Sequence, residues 1–169
     1  DFRVFAIQGH RADGRGGPQI IPRPQLWTPG RPAPWAQLGE TSGLIVPDRV
    51  RAAVPAERRG RPSPVKELGA SPSAVLVPLY EHDGELFVVL TRRAQSLRTH
   101  KGEVSFPGGR ADPGETYVQA ALREAQEEVF LDPGLVEPLG ELDHLTTVTR
   151  RAYIVPVVGL IEGRPELGR

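Results

Sequence analysis

Phe106-Pro107-Gly108-Gly109-Arg110-Ala111-Asp112-Pro113-Gly114-Glu115, followed after seven residues by Arg123-Glu124-Ala125-Gln126-Glu127-Glu128, is the stretch that decides how this chain reads. Its form is G-x5-E-x7-R-E-A-x-E-E. A glycine-rich loop leads into residues 116–129, which lack Pro and Gly and are rich in Ala, Leu, Gln, Glu and Arg. That composition predicts a helix of about four turns. On it Glu124, Glu127 and Glu128 stand at i, i+3 and i+4 and share one face, while Val118, Ala121, Leu122, Ala125 and Val129 form an apolar face for a core. Carboxylates so close repel one another. A hard cation with oxygen ligands removes that cost, and Mg2+ is usually held by one or two carboxylates together with substrate phosphates. Taken alone, such a triplet is more commonly a solvated acidic face. Glu115 falls near the helix N-terminus, where the dipole favours a carboxylate. Gly108-Gly109 allows the backbone to come close to a metal or a phosphate.

The whole run resembles the signature of the Nudix hydrolase family. The resemblance implies an α/β fold, an α/β/α sandwich with a mixed sheet. It implies Mg2+ or Mn2+ as cofactor, held by Glu124, Glu127 and Glu128 as the catalytic carboxylates, with the Gly109 carbonyl as a further ligand. It also implies that Glu115 pairs with Arg123 to brace the loop against the helix; either residue alone would read as an exposed surface charge. One position departs from the pattern, because the glycine usual two residues after the last glutamate is Phe130. A phenylalanine forced into a left-handed conformation costs about 1–2 kcal/mol. The expectation is therefore that Phe130 keeps a negative φ, that its ring packs on the core, and that the chain reverses at Pro133-Gly134.

Upstream, Leu90-Thr91-Arg92-Arg93-Ala94 and Leu97-Arg98-Thr99-His100-Lys101-Gly102-Glu103-Val104-Ser105-Phe106 lead into Pro107-Gly108-Gly109. This is similar to the signature of the coenzyme A pyrophosphatases within that family, with Ala94 in place of a serine and Glu103 in place of a glutamine. Arg92, Arg93, Arg98 and Lys101 cluster ahead of the acidic helix, and arginine suits bidentate contact with phosphate. Together with His100 they are the candidate substrate-binding residues. Singly, each arginine reads equally well as a polar residue at a strand end, and a loop histidine more often as a structural hydrogen bonder. The implied reaction is hydrolysis of the diphosphate of coenzyme A to 3',5'-ADP and 4'-phosphopantetheine. The alternatives are another nucleoside diphosphate derivative, such as ADP-ribose or an oxidised nucleotide, and a catalytically silent binding module. Glu141, Asp143, Glu162 and Glu166 are the carboxylates available as a general base, and the sequence does not choose among them.

The remaining residues set bounds. The chain has 169 residues, no Cys, no Met and zero formal net charge. The lack of Cys excludes disulfides and thiolate metal sites and fits a cytoplasmic protein. No apolar run approaches the ~20 residues that span a bilayer. Residues 1–68 hold 11 Lys+Arg against 6 Asp+Glu, and residues 69–169 hold 10 against 15. The basic half has no helical stripe of arginines and few interleaved aromatics, which argues against nucleic acid and leaves a small nucleotide substrate as the expected partner. Residues 1–68 also contain 10 Pro and 8 Gly, which marks a Pro/Gly/Arg-rich, partly irregular N-terminal extension. Residues 69–169 form the expected catalytic domain, read as incomplete at its C-terminus and with an exposed sheet edge. Strands are expected near residues 1–7, over 74–80, with Pro78 at an edge or bulge, over 86–91 after a turn at His82-Asp83-Gly84, from residue 139, and over 152–161. A short helix is expected from Pro47-Asp48.

Overall fold

The computed structural model describes residues 2–8, 45–64, 72–93, 104–147 and 152–168. The hairpin at its centre is made by Asp83 and Gly84, with φ of 53° and 76°. Two consecutive positive φ values give a turn whose twist matches that of the flanking strands. It joins β2 (Pro72–His82) to β3 (Glu85–Arg93). β1 (Phe2–Gln8) lies antiparallel on the far side of β3, from Phe2 opposite Arg93 to Gln8 opposite Phe87. On the other side, β2 runs parallel to β8 (Tyr153–Ile161), and β8 is antiparallel to β6 (Val136–Glu141). Three short strands, β4 (Val104–Ser105), β5 (Gly108–Arg110) and β7 (Leu145–Thr146), pair with β3, β2 and β8. The sheet is therefore mixed.

The alternation along β2 assigns its two faces. Ala74, Leu76 and Tyr80 are buried against Ala120, Ala121, Ala125 and Val129 of α2 (Tyr117–Val129). Val77 and Leu79 face the other way, where Leu139, Val158 and Leu160 meet Val50 and Val54 at α1 (Pro47–Ala53). Helices thus cover both faces, which is the expected α/β/α sandwich. Pro78 is a correction to the expectation of an edge or bulge, because β2 is an interior strand. The Leu76 N–H donates to the Pro107 carbonyl, so by the period of two the Pro78 nitrogen faces the same flank. Pairing with β5 has ended there, and pairing with β3 begins only at Leu79, so no ladder bond is lost.

Residues 54–61 follow the outer edge of β6. The Gly140 and Glu141 amides donate to the Val54 and Arg58 carbonyls at 3.4 and 3.0 Å. Arg58 and Arg61 pair with Asp143 at 3.4 and 2.6 Å. The exposed edge foreseen from the sequence is therefore occupied at this point by the chain's own upstream segment. Residues 2–8 and 45–64 belong to the same compact unit as the rest of the described chain.

α2 begins with a capping box. Thr116 Oγ1 accepts from the Gln119 amide at 3.2 Å, and Gln119 Oε1 accepts from the Thr116 amide at 2.9 Å. Its other end corrects the expectation for Phe130. That residue has φ 57° and ψ 27°, and it is 59% exposed rather than packed into the core. The Phe130 N–H closes the last helical turn on the Gln126 carbonyl at 3.0 Å, and the left-handed turn brings the Leu131 N–H to the Ala125 carbonyl at 3.4 Å. It also drives Leu131, 2% exposed, into the core in place of the ring. Burying a leucine contributes about 1.5–3 kcal/mol, enough to offset the backbone cost. The reversal at Pro133 does occur, as a single 3-10 turn over Pro133–Leu135.

Candidate functional site

The site grows from the contact of α2 with β5. Gly109 lies opposite Ala74 in the sheet, and a Cβ on it would fall 2.4 Å from the Glu124 carboxylate. The glycine is therefore what allows Glu124 to rest on the loop backbone. One residue earlier, the Gly108 N–H donates to Glu128 Oε2 at 3.2 Å. A Cβ on Gly108 would meet the Ala74 carbonyl oxygen at 2.4 Å and Val75 Cα at 2.6 Å. Two carboxylates of one helix face are thereby brought to two successive glycines.

Arg123 holds this arrangement from the outside. Its Nε and Nη2 donate to the two oxygens of Glu115 at 3.0 and 3.1 Å, a bidentate pair. Nη2 also donates to the Arg110 carbonyl at 2.9 Å, and Nη1 donates to Glu124 Oε1 at 2.9 Å. Glu115 accepts in addition from the Asp112 amide at 2.9 Å. The Arg123 hydrogen bonds, and then that amide, hold the Glu115 carboxyl below its ordinary range. Glu115, and after it Glu124, push the Arg123 guanidinium still higher. The brace inferred for Glu115 and Arg123 is present as geometry.

Glu127 takes a different position. Its side chain is 60% exposed and lies 3.5 Å from Arg123 Nη1, on the solvent flank of the helix. Sharing a face by spacing therefore does not bring all three carboxylates to one point. Among the described residues no three His, Cys, Asp or Glu side chains are arranged to hold a metal ion. The donor set still fits a hard cation, since the groups that could ligate at the loop are carboxylate and carbonyl oxygens and the Gly109 cradle leaves no room for a side chain.

Of the candidate substrate-binding residues, Arg92 lies on β3, paired with Val104 of β4 and half-buried. The adjacent Thr91 is fully buried, and its hydroxyl lies 3.1 Å from the Ser105 carbonyl oxygen and 3.0 Å from the Ser105 hydroxyl, fastening β4 just ahead of the glycine loop. The Arg93 side chain, and Arg98, His100 and Lys101, lie outside the described residues.

Sequence reasoning did not single out His144. Its Nε2 is 3.0 Å from Glu141 Oε2, and its Nδ1 is 2.8 Å from the Tyr153 hydroxyl. Glu141, 7% exposed, also accepts from the Gly60 amide at 3.2 Å. Glu141 and His144 line a cavity of about 780 Å3 at the N-terminal end of α2, with Arg59, Glu115 and Tyr117. Asp143 is held below its ordinary range by Arg61, through side chain and then backbone. Glu141 and Asp143, two of the possible bases, are thus both engaged in anchoring residues 58–61. No local pattern announces His144, because Glu141 stands only three residues before it but the Tyr153 hydroxyl reaches the ring only through the pairing of β7 with β8.

A NUDIX domain model matches residues 70–165. Nudix hydrolase 3 of Caenorhabditis elegans is 48% identical over 94 residues, covering 54% of this chain and 38% of the relative. An uncharacterized Nudix hydrolase, NudL, of Pectobacterium atrosepticum is 48% identical over 90 residues, covering 53% and 46%. The chain thus spans less than half the length of these two relatives. Among solved structures, a Nudix hydrolase from M. Smegmatis, RenU, is 20% identical with a TM-score of 0.46, over 57% of this chain and 64% of that one.

Proposed function

Since the chain belongs to the NUDIX domain family, we propose that it carries the catalytic helix of a Mg2+- or Mn2+-dependent pyrophosphohydrolase acting on coenzyme A or its derivatives. The observation that carries the hydrolase reading is the seating of Glu124 and Glu128 on Gly109 and Gly108, braced by Glu115 and Arg123. Glu124, Glu128 and the Gly109 carbonyl are the groups that would hold the cation, with Glu127 joining them by turning in from the solvent flank of the helix. A bound cation of this kind neutralises diphosphate charge and makes water a better nucleophile. Water then forms a bond to one phosphorus and releases a proton to solvent, the bridging P–O bond breaks, and the other phosphate leaves with the electron pair. With coenzyme A the products are 3',5'-ADP and 4'-phosphopantetheine. Gly108 and Gly109 contribute close backbone approach, and the Arg123 brace keeps the loop and helix in register while the substrate enters. The substrate assignment rests on residues 90–109, whose arginines suit a ligand with a diphosphate and a further phosphate.

A second reading is a binding module without turnover. Arg123 Nη1, 2.9 Å from Glu124 Oε1, favours it by engaging a prospective metal ligand with a fixed positive charge. A substrate panel with Mg2+ decides between them. Coenzyme A should be cleaved with a higher kcat/KM than dephospho-coenzyme A or ADP-ribose. Equal values for the first two would remove the argument for 3'-phosphate recognition, and preference for ADP-ribose or an oxidised nucleotide would move the substrate to another nucleoside diphosphate derivative. Binding without product would establish the module.

A further inference from the structure

Phe130 is a non-glycine residue in the left-handed region at the end of the helix that carries the carboxylates, and its ring is 59% exposed. The residues after β8 return to this point. The Gly168 N–H donates to the Val129 carbonyl at 3.0 Å, supplying a donor to a carbonyl in the last turn of α2. Leu167 packs on the core beside α2. A Cβ on Gly168 would lie 2.5 Å from Phe130 Cδ2, 3.0 Å from Cγ and 3.3 Å from Cβ, so the returning backbone passes close beside the Phe130 side chain. The ring therefore lies beside Gly168, whose N–H in turn caps the helix.

We propose that Phe130 and Gly168 form a clamp that fixes the last turn of α2, making Phe130 a positioning residue for the metal-binding carboxylates. Glu128 stands two residues before Phe130 and reaches back to the Gly108 amide at 3.2 Å, so a loosened last turn displaces this carboxylate first. The metal part of this inference rests on the hydrolase reading, whereas the clamp does not. A left-handed residue that was only strained would improve on replacement by glycine. A clamp predicts otherwise, because glycine relieves the backbone but removes the side chain against which Gly168 lies.

The test is a double-mutant cycle in the full chain with Phe130→Gly, Gly168→Ala and both together, read by thermal melting, amide exchange and Mn2+ binding followed by electron paramagnetic resonance. Gly168→Ala should lower the melting temperature by several degrees alone and by much less beside Phe130→Gly, since the partner of the clash is gone. Phe130→Gly should speed exchange of the Gly168 amide and weaken Mn2+ binding roughly tenfold, a 1.4 kcal/mol change. Phe130→Tyr, which keeps the ring, should restore both. In turnover the effect should appear as a higher metal requirement with kcat retained at saturating Mn2+. Equal costs of Gly168→Ala in the two backgrounds would overturn the clamp. Unchanged or tighter Mn2+ binding in Phe130→Gly would overturn the positioning role. A wild-type chain that hydrolyses nothing would defeat the hydrolase reading alone, since the melting cycle and exchange rates still decide the clamp.

Discussion

Replacing Gly109 by alanine should separate function from folding. The added Cβ would lie 2.4 Å from both Cδ and Oε1 of Glu124 and 2.6 Å from Oε2, and these atoms are the far end of a flexible side chain. The carboxylate can move where a backbone cannot. Its displacement breaks the 2.9 Å bond to Arg123 and lifts it off the loop, but the sheet need not shift. Gly109 has no positive φ, so alanine is accommodated there and gains about 0.4–1 kcal/mol through the unfolded state. The net change in stability should stay within about 1 kcal/mol, a shift of roughly 2–4 °C in melting temperature. Turnover should fall about a hundredfold or more, ~2.7 kcal/mol of barrier, as for Glu124→Gln, if Glu124 holds the cation. Gly108→Ala is the control, because its Cβ would meet backbone, the Ala74 oxygen at 2.4 Å and Val75 Cα at 2.6 Å. Strain of this kind typically costs about 1–3 kcal/mol, so this variant should melt well below Gly109→Ala. The assay is steady-state hydrolysis at saturating Mg2+ beside thermal melting of the same preparations. Near-normal turnover in Gly109→Ala would refute the assignment of Glu124. So would a melting loss equal to that of Gly108→Ala, since the effect would then be structural.

The Glu115 carboxyl titrates below its ordinary 4.5 because Arg123 and the Asp112 amide bond its charged form. Its contribution to stability is therefore complete above that value and is lost as pH falls through the depressed folded value. The melting-temperature gap between wild type and Glu115→Gln should be full at pH 7 and close below about pH 4.5; a gap independent of pH would count against the brace. His144→Phe leaves the buried Glu141 with one donor fewer and the Tyr153 hydroxyl without its ring nitrogen, at a cost of about 1–3 kcal/mol. It should lower the melting temperature while leaving turnover per folded molecule unchanged, and a large drop in kcat with full stability would instead give this cluster a part in the chemistry.

Local chemistry along the chain is decisive for several parts of this protein. Residues 116–129 without Pro or Gly must form the helix, and Asp83-Gly84 admits a two-residue turn. Gly109, Glu115, Arg123, Glu124 and Glu128 stand at spacings that a loop entering a helix brings together. The order β2, loop, α2, strand was legible for the same reason, since hydrophobic period and turn residues act within a few positions. The tertiary structure decided what depends on partners distant in sequence. Glu127 points to solvent because Gly108 and Gly109 meet only two of the three carboxylates. Pro78 sits inside the sheet because β5 and β3 divide one flank of β2 between them. Glu141 and Asp143 hold residues 58–61, which lie some eighty positions earlier in the chain. Phe130 turns left-handed, against its own local preference. The burial of Leu131 and the donor that Gly168 brings to the Val129 carbonyl outweigh the cost at one residue, and both arise only once the chain has folded.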